Sequence, residues 1–368
     1  MWCRCVRSLA TWRSSLKLLV RQSAICQNIL RLIRNPCRLL WSAFLNCRTC
    51  LTRSKWSRHR SWNIIPPKRP ELFEFSEKPR HSGAAFSIWR SPRMPNQPSI
   101  QSVRDALVAQ PGAAFNLASR DTSGKEVFED KAEAKTSLKD DAVIINELKD
   151  KLYATGEQAL LVVLQGMDTA GKSGTLKNVF AKTSPLGMQV KAFKAPSKNE
   201  LARDYLWRIH NAIPKKGTIG IFDRSHYEDV LVARVRGFAS PEAIEQRYAQ
   251  INDFERHMTE NGVTIVKCML NVSHEEQGIR LAERLVEPHK LWKFNPGDLE
   301  DRKLWPEFMD AYEIAVSRCS TLHAPWHVIP ADSRTRRNAC VARLVRGALE
   351  DMDLSYPNPS HKPEDFKI

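Results

Sequence analysis

Gly166-Met167-Asp168-Thr169-Ala170-Gly171-Lys172-Ser173 fills the pattern G-x-x-x-x-G-K-[ST] at every fixed position and constrains the fold more than any other stretch of the chain. Before it, Ala159 to Gln165 is an apolar run ending in one polar residue and reads as a buried strand. After it, Gly174 to Lys182 reads as the start of a helix. A strand, a glycine loop and a helix in that order make an anion nest: backbone N–H groups turn inward and the helix N-terminus adds partial positive charge. Gly166, Gly171, Ser173 and Gly174 would build this phosphate cradle. Lys172 would neutralise phosphate oxygens, and Ser173 would reach a phosphate-bound Mg²⁺. The plainer alternative is a tight strand-to-helix turn that holds no ligand.

From this point the chain alternates. Apolar runs at Leu160–Leu164, Gln189–Phe193, Thr218–Phe222, Val263–Leu270 and His327–Ile329 read as strands. Helical patterns are expected at Gly174–Lys182, Asn199–Asn211, Tyr227–Arg234, Pro241–Asn261, Ser273–Val286, Leu299–Ser320 and Arg334–Met352. Pro306 should kink its helix or open a new first turn. Repeated β-α-β units predict an α/β fold with a doubly wound, mainly parallel sheet, whose ligands sit at the strands' carboxyl ends. Ahead of it, Ile100 to Ala109 reads as a short helix and Ala114 to Thr136 as a charged surface wrap. A helix capped by Ser137 follows, with Ile144, Leu148 and Leu152 on one face.

Two further stretches carry chemistry. Ile219 to Phe222 is an apolar run that ends in Asp223 and Arg224. A phosphate-loop enzyme needs a carboxylate at a neighbouring strand end to hold Mg²⁺, and Asp223 suits that role. Arg224 is placed to stabilise charge on a transferred phosphoryl group; the competing reading is a helix-terminal acid beside a surface arginine. Asp168 lies inside the loop, where an acid beside phosphate is costly unless a cation lies between. Asp168 and Asp223 therefore read as one Mg²⁺ site, either able to take a proton from the attacking phosphate. The alternative for Asp168 is a hydrogen bond to loop amides.

The other stretch is Arg280-Leu281-Ala282-Glu283-Arg284 with Lys290 and Lys293, a basic helix and loop over about residues 280–298 that read as a mobile lid or as a solvated face. Arg234 and Arg236 either extend the positive channel or cap a helix dipole. His226 reads as structural rather than catalytic.

Net charge misleads here. Residues 1–93 hold 19 Lys and Arg against 3 Asp and Glu, which is the whole of the net +16; residues 94–368 balance 38 against 38. The front also holds six of nine cysteines and six of ten tryptophans, without periodicity. It reads as sequence translated from upstream of a true start at Met94, as an organelle transit peptide, or as a basic arm for nucleic acid or membrane. The body keeps only Cys268, Cys319 and Cys340, with no metal-ligand spacing, which suits a reducing cytoplasm. Cys47-x-x-Cys50 in the front lacks the partner pair a zinc site needs. No apolar run approaches the roughly 20 residues that span a bilayer. Residues 94–368 are thus expected to form one domain, with neither nucleic acid nor membrane as partner.

At these residues the chain closely resembles the polyphosphate kinase 2 family. The resemblance rests on Gly166 to Lys172, on Phe222-Asp223-Arg224-Ser225-His226-Tyr227-Glu228-Asp229-Val230 and on Pro288-His289-Lys290-Leu291-Trp292-Lys293-Phe294. It runs from about Ile100 to Tyr356 and looks most like the class that phosphorylates both AMP and ADP. It implies a P-loop kinase-like sheet with a helical lid, and Mg²⁺-dependent, reversible transfer of the terminal phosphoryl group of inorganic polyphosphate to a nucleoside mono- or diphosphate. GDP is a further candidate acceptor and Mn²⁺ a further candidate metal. By motif position, Asp168 and Asp223 would hold metal and activate the acceptor. Lys172, Arg224 and Arg234 would bind phosphates, and Lys290 and Lys293 would belong to the lid; Arg284, on the helix before them, is read from its helix face as a further phosphate-binding residue. A homo-oligomer is implied as well. Ser173, where relatives often carry glycine, and Arg236, where histidine is expected, depart from the pattern. An ATP-dependent nucleotide or small-molecule kinase is the alternative enzyme, and a nucleic-acid-binding protein using the basic front is the alternative outside enzymes.

Overall fold

The computed structural model describes residues 97–361, 365 and 366. The readings for the basic front lie outside the described residues. Five parallel strands form the sheet: β1 (Ala159–Gln165), β2 (Met188–Ala192), β3 (Ile219–Asp223), β4 (Val263–Asn271) and β5 (Trp326–Pro330), in the order β2-β3-β1-β4-β5. Each expected strand is present, with ends displaced by at most one residue. β1 is central and buried at all seven positions, which is why it carries no polar alternation. Register brings the ends together: Leu164 lies beside Asp223, Gln165 beside Met269 and Asn271 beside Pro330. The carboxyl ends of β1, β3, β4 and β5 thus share one edge.

The helices are α1 (Ile100–Leu107), α2 (Lys131–Thr155), α3 (Lys172–Val179), α4 (Lys198–Leu201), α5 (Trp207–His210), α6 (Val232–Val235), α7 (Pro241–Glu260), α8 (His274–Val286), α9 (Pro296–Lys303), α10 (Trp305–Cys319) and α11 (Arg334–Asp351). Adjacent residues of a strand face opposite sides. On β4, Lys267 meets Glu255 of α7 at 2.6 Å, while Cys268 lies toward Cys340 of α11. The sheet is therefore covered on both faces, as its apolar strands require. Burial pushes the Cys268 thiol up to about 12, so it packs rather than reacts.

Local chemistry corrects several sequence expectations. The long helix α2 starts six residues before Ser137, because Asp130 caps it by accepting from Ala132 N at 3.1 Å and Glu133 N at 3.3 Å. Ser137 is instead fully buried inside α2. Beside it, Asp141 accepts from Arg343 Nε at 2.8 Å and Arg346 Nη1 at 3.1 Å. What looked like a cap is a buried ion network joining α2 to α11. The expected surface wrap likewise buries Leu117 and Phe128. The expected Asn199–Asn211 helix breaks into α4 and α5, because the Asp204 side chain accepts from Leu206 N at 3.0 Å and starts a new turn. Tyr227–Arg234 is a 3₁₀ turn, His226–Asp229, followed by α6. Pro306 lies in the first turn of α10 and separates it from α9, the second of its two expected outcomes.

Candidate active site

The loop after β1 is shaped by its glycines. Gly166 has φ 145°, and a Cβ there would lie 2.7 Å from Leu270 O on β4. Gly171 has φ 103°, and a Cβ there would lie 2.1 Å from Arg337 Nη1. Two non-glycine residues also adopt positive φ at this edge, Thr169 at 66° and Arg224 at 65°. Such conformations cost about 1–3 kcal/mol each and concentrate at functional sites. Here they let the β1 and β3 loops aim Asp168 and Arg224 at each other.

Asp168 Oδ1 accepts from Arg224 Nη2 at 2.7 Å. Burial alone would raise the Asp168 carboxyl, but Lys172 and Arg224 outweigh it and hold the group below the usual carboxylate range. Arg224 also faces Glu228, 3.9 Å away. Glu228 moves the other way: burial raises it, and Arg224 and Lys172 only partly offset the cost. Lys172 opens α3 and is 9% exposed. Its ammonium donates to Gly166 O at 2.6 Å and to Met167 O at 3.3 Å. Burial lowers it, with Asp168 opposing. Ser173 Oγ lies 3.4 Å from Asp223 Oδ2, which joins the loop to the end of β3.

These groups open into one cleft of about 810 Å³. Asp168, Gly171, Lys172, Ser173, Gly174, Asp223 and Arg224 line it on the sheet side, and Arg284, Lys290 and Lys293 on the other. Two expected residues lie elsewhere. Gly166 sits beneath the loop, where its role is close packing against Leu270 O. Arg234 is exposed on α6, with its charge near Glu245 and Tyr248. Arg236 pairs with Asp301 of α9. His226 is fully buried, 3.2 Å from Glu255, as a structural residue should be.

Two of the three lid cations already have anionic partners. Arg284 Nη1 donates to Asp298 Oδ2 at 2.7 Å, and Lys290 Nζ reaches Glu283 and Glu287, each at 2.8 Å. Burial, with Asp168 nearby, pushes the Asp298 carboxyl up to about 6. Arg280 is not a lid cation: it is 5% exposed and is spent on loop carbonyls. Sequence reasoning missed Lys194, Arg334 and Arg337, which also line the cleft. The last two follow β5 directly, and the rule that ligands collect at carboxyl strand ends could have flagged Arg334-Thr335-Arg336-Arg337.

The oxygen donors suit a hard divalent cation. Asp168 is held ionised, and Asp223 shares its position with the Ser173 hydroxyl. Among the described residues, no cluster of three or more His, Cys, Asp or Glu could hold a metal by itself. Magnesium is characteristically held by one or two carboxylates, with phosphate oxygens and water completing its shell. The residues therefore fit a hard divalent cation held jointly with phosphate.

The model of the polyphosphate kinase 2 family matches residues 128–357. The chain is 44% identical over 262 residues to the AMP/ADP-polyphosphate phosphotransferase of Meiothermus ruber, covering 70% of this chain and 97% of that protein. It is 36% identical over 267 residues to the ADP-polyphosphate phosphotransferase of Rhodopseudomonas palustris, covering 69% and 92%. The crystal structure of polyphosphate kinase 2 from Arthrobacter aurescens TC1 superposes with a TM-score of 0.69 at 42% identity, over 73% of this chain and 95% of that one. With a phosphate loop, a strand-end aspartate–arginine pair and a basic lid around one cleft, this chain belongs to the polyphosphate kinase 2 family.

Proposed function

We infer that the cleft transfers the terminal phosphoryl group of inorganic polyphosphate to AMP or ADP, reversibly. The single observation that carries this reading is the convergence of Lys172, the Asp168–Arg224 pair and Asp223 with the lid cations on one open cleft. The names of the relatives support polyphosphate over ATP as donor. In the forward direction an oxygen of the acceptor's terminal phosphate bonds to the end phosphorus of the polymer. The bridging P–O bond breaks, and the shortened polymer leaves with the electron pair on its oxygen.

The transition state asks the protein for position and positive charge rather than covalent chemistry. Loop amides and Lys172 hold phosphate oxygens. Arg224, oriented by Asp168 and Glu228, faces charge that builds on the transferred group. Asp168, kept ionised, orients the acceptor and can take its proton where one is present. Arg284 and Lys290 exchange their carboxylate partners for phosphates as polymer enters, and Lys293 adds a third cation. Asp223, Asp168 and Ser173 are the residues that would hold Mg²⁺, with Mn²⁺ as a substitute; the cation supplies charge neutralisation between the reacting phosphates.

A homo-oligomer remains our proposal for the assembly, on family resemblance, and light scattering of the purified chain tests it. The deciding assay combines the full chain with AMP or ADP, Mg²⁺ and polyphosphate, without ATP. New nucleotide phosphoanhydride, read by ³¹P NMR, is expected; its absence rules the reading out.

A further inference from the structure

Three consecutive carbonyls of the phosphate loop are held by side chains from outside it. Gln277 Nε2 donates to Asp168 O at 3.3 Å, Arg280 Nη1 to Thr169 O at 3.0 Å and Arg337 Nη1 to Ala170 O at 3.0 Å. Gln277 is 0%, Arg280 5% and Arg337 3% exposed. The first two come from α8 and the third from α11. Each is fixed in turn. Arg302 Nη1 donates to Gln277 Oε1 at 2.8 Å, Arg280 Nε to Glu276 at 2.8 Å, and Arg337 Nε to Asn338 Oδ1 at 3.2 Å. The remaining nitrogen of Arg280, Nη2, reaches Ala331 O and Asp332 O, both at 2.8 Å, just past β5.

In a trans peptide, the carbonyl of one residue and the N–H of the next point in opposite directions. Pulling the Asp168 and Ala170 carbonyls toward α8 and α11 therefore turns the N–H groups of Thr169 and Gly171 toward the cleft that both residues line. The intervening N–H, of Ala170, closes a turn on Met167 O at 3.1 Å. The loop needs outside support because Thr169 sits at φ 66°. It is also moulded to the Arg337 guanidinium, which occupies the space a Cβ on Gly171 would need. Burial, with the charges of Arg280 and Arg334 nearby, lowers Arg337 to about 9.

We propose that Gln277, Arg280 and Arg337 form a carbonyl clamp that sets the amide directions of the phosphate loop. They are positioning residues for phosphoryl transfer, and Arg280 ties those directions to the helix that also carries Arg284. The proposal rests on the transfer reading only for its kinetic arm.

The test uses the full chain as wild type, Arg337→Ala, Arg337→Lys and Gln277→Ala. Hydrogen exchange is followed in the peptide spanning residues 166–175, beside steady-state kinetics with polyphosphate and ADP. In Arg337→Ala, loop exchange should accelerate about tenfold while β1 stays protected. Its kcat should fall about 10²-fold with the ADP KM near wild type, as for a misplaced catalytic group. Added guanidinium should reverse both changes. Arg337→Lys should recover part of kcat, because one ammonium cannot span Ala170 O and Asn338. Gln277→Ala should move both readouts the same way by less, and it decides the matter if Arg337→Ala fails to fold. Unchanged loop exchange in a folded variant would overturn the clamp. So would a raised polyphosphate KM with kcat intact, which would make Arg337 a substrate contact. If the wild type shows no transfer, the functional reading fails, and exchange with guanidinium rescue still decides the clamp.

Discussion

Asp168 and Lys172 show how one loop can carry opposite charges without collapse. Lys172 and Arg224 hold the Asp168 carboxyl low despite burial, Asp168 in turn opposes the burial that lowers Lys172, and Arg224 joins them from the end of β3. Removing one member should therefore hurt chemistry more than folding. We expect Lys172→Ala and Asp223→Ala each to lower kcat by roughly 10²–10³-fold, as for loss of a well-placed charged group. Thermal melts should remain near wild type, and rates near wild type in either variant would remove the assigned role. These residues were legible in the sequence because their chemistry is local: a fixed spacing of glycine, lysine and serine, and an acid directly after an apolar strand. Arg234, for which motif position implied a phosphate contact, is not among the residues that line the cleft. Its position on a short helix leaves it exposed beside Glu245, and one-dimensional spacing does not reveal which way such a turn faces.

Elements are joined here by buried ions. Lys267 of β4 donates to Glu255 of α7 at 2.6 Å, to Tyr227 Oη at 2.8 Å and to Cys319 O at 2.7 Å, all without solvent. Lys267→Met would leave Glu255 charged and buried, a loss of about 3–5 kcal/mol. Urea unfolding measures it, and a variant as stable as wild type would mean that the network is energetically idle. In the lid, Asp298 binds its proton more tightly in the fold, at about 6, than a free aspartate does. A raised folded pKa gives stability that is full below the unfolded value and lost as pH rises through about 6. Asp298→Asn should thus melt with less pH dependence than wild type between that value and the ordinary aspartate range. Equal dependence in both proteins would rule this out. Ser137 carries the lesson for sequence reading at this scale. It looked like a helix cap, and only the approach of Arg343 from α11 turned the stretch into a buried ion network.

Along the whole chain, the charge that dominates the composition precedes in sequence the residues that line the cleft. Residues 1–93 carry all of the excess, yet the family match begins at residue 128. Deleting residues 1–93 should leave transfer unchanged, and loss of activity in a folded truncation would contradict this. Neutralising about six phosphates should make polyphosphate binding fall steeply with salt, by analogy with other polyanions. A flat salt response would argue against a lined-up cationic track. Taken by itself, the sequence determined the strands, their parallel character, the phosphate loop and the strand-end aspartate, because periodicity and short-range spacing encode these directly. Only the tertiary structure decided that Arg280 serves the loop rather than the lid, and that Arg337 reaches Ala170 from α11. Those contacts join residues more than a hundred positions apart, and a guanidinium's partners depend on which backbone carbonyls the packed helices bring within its reach.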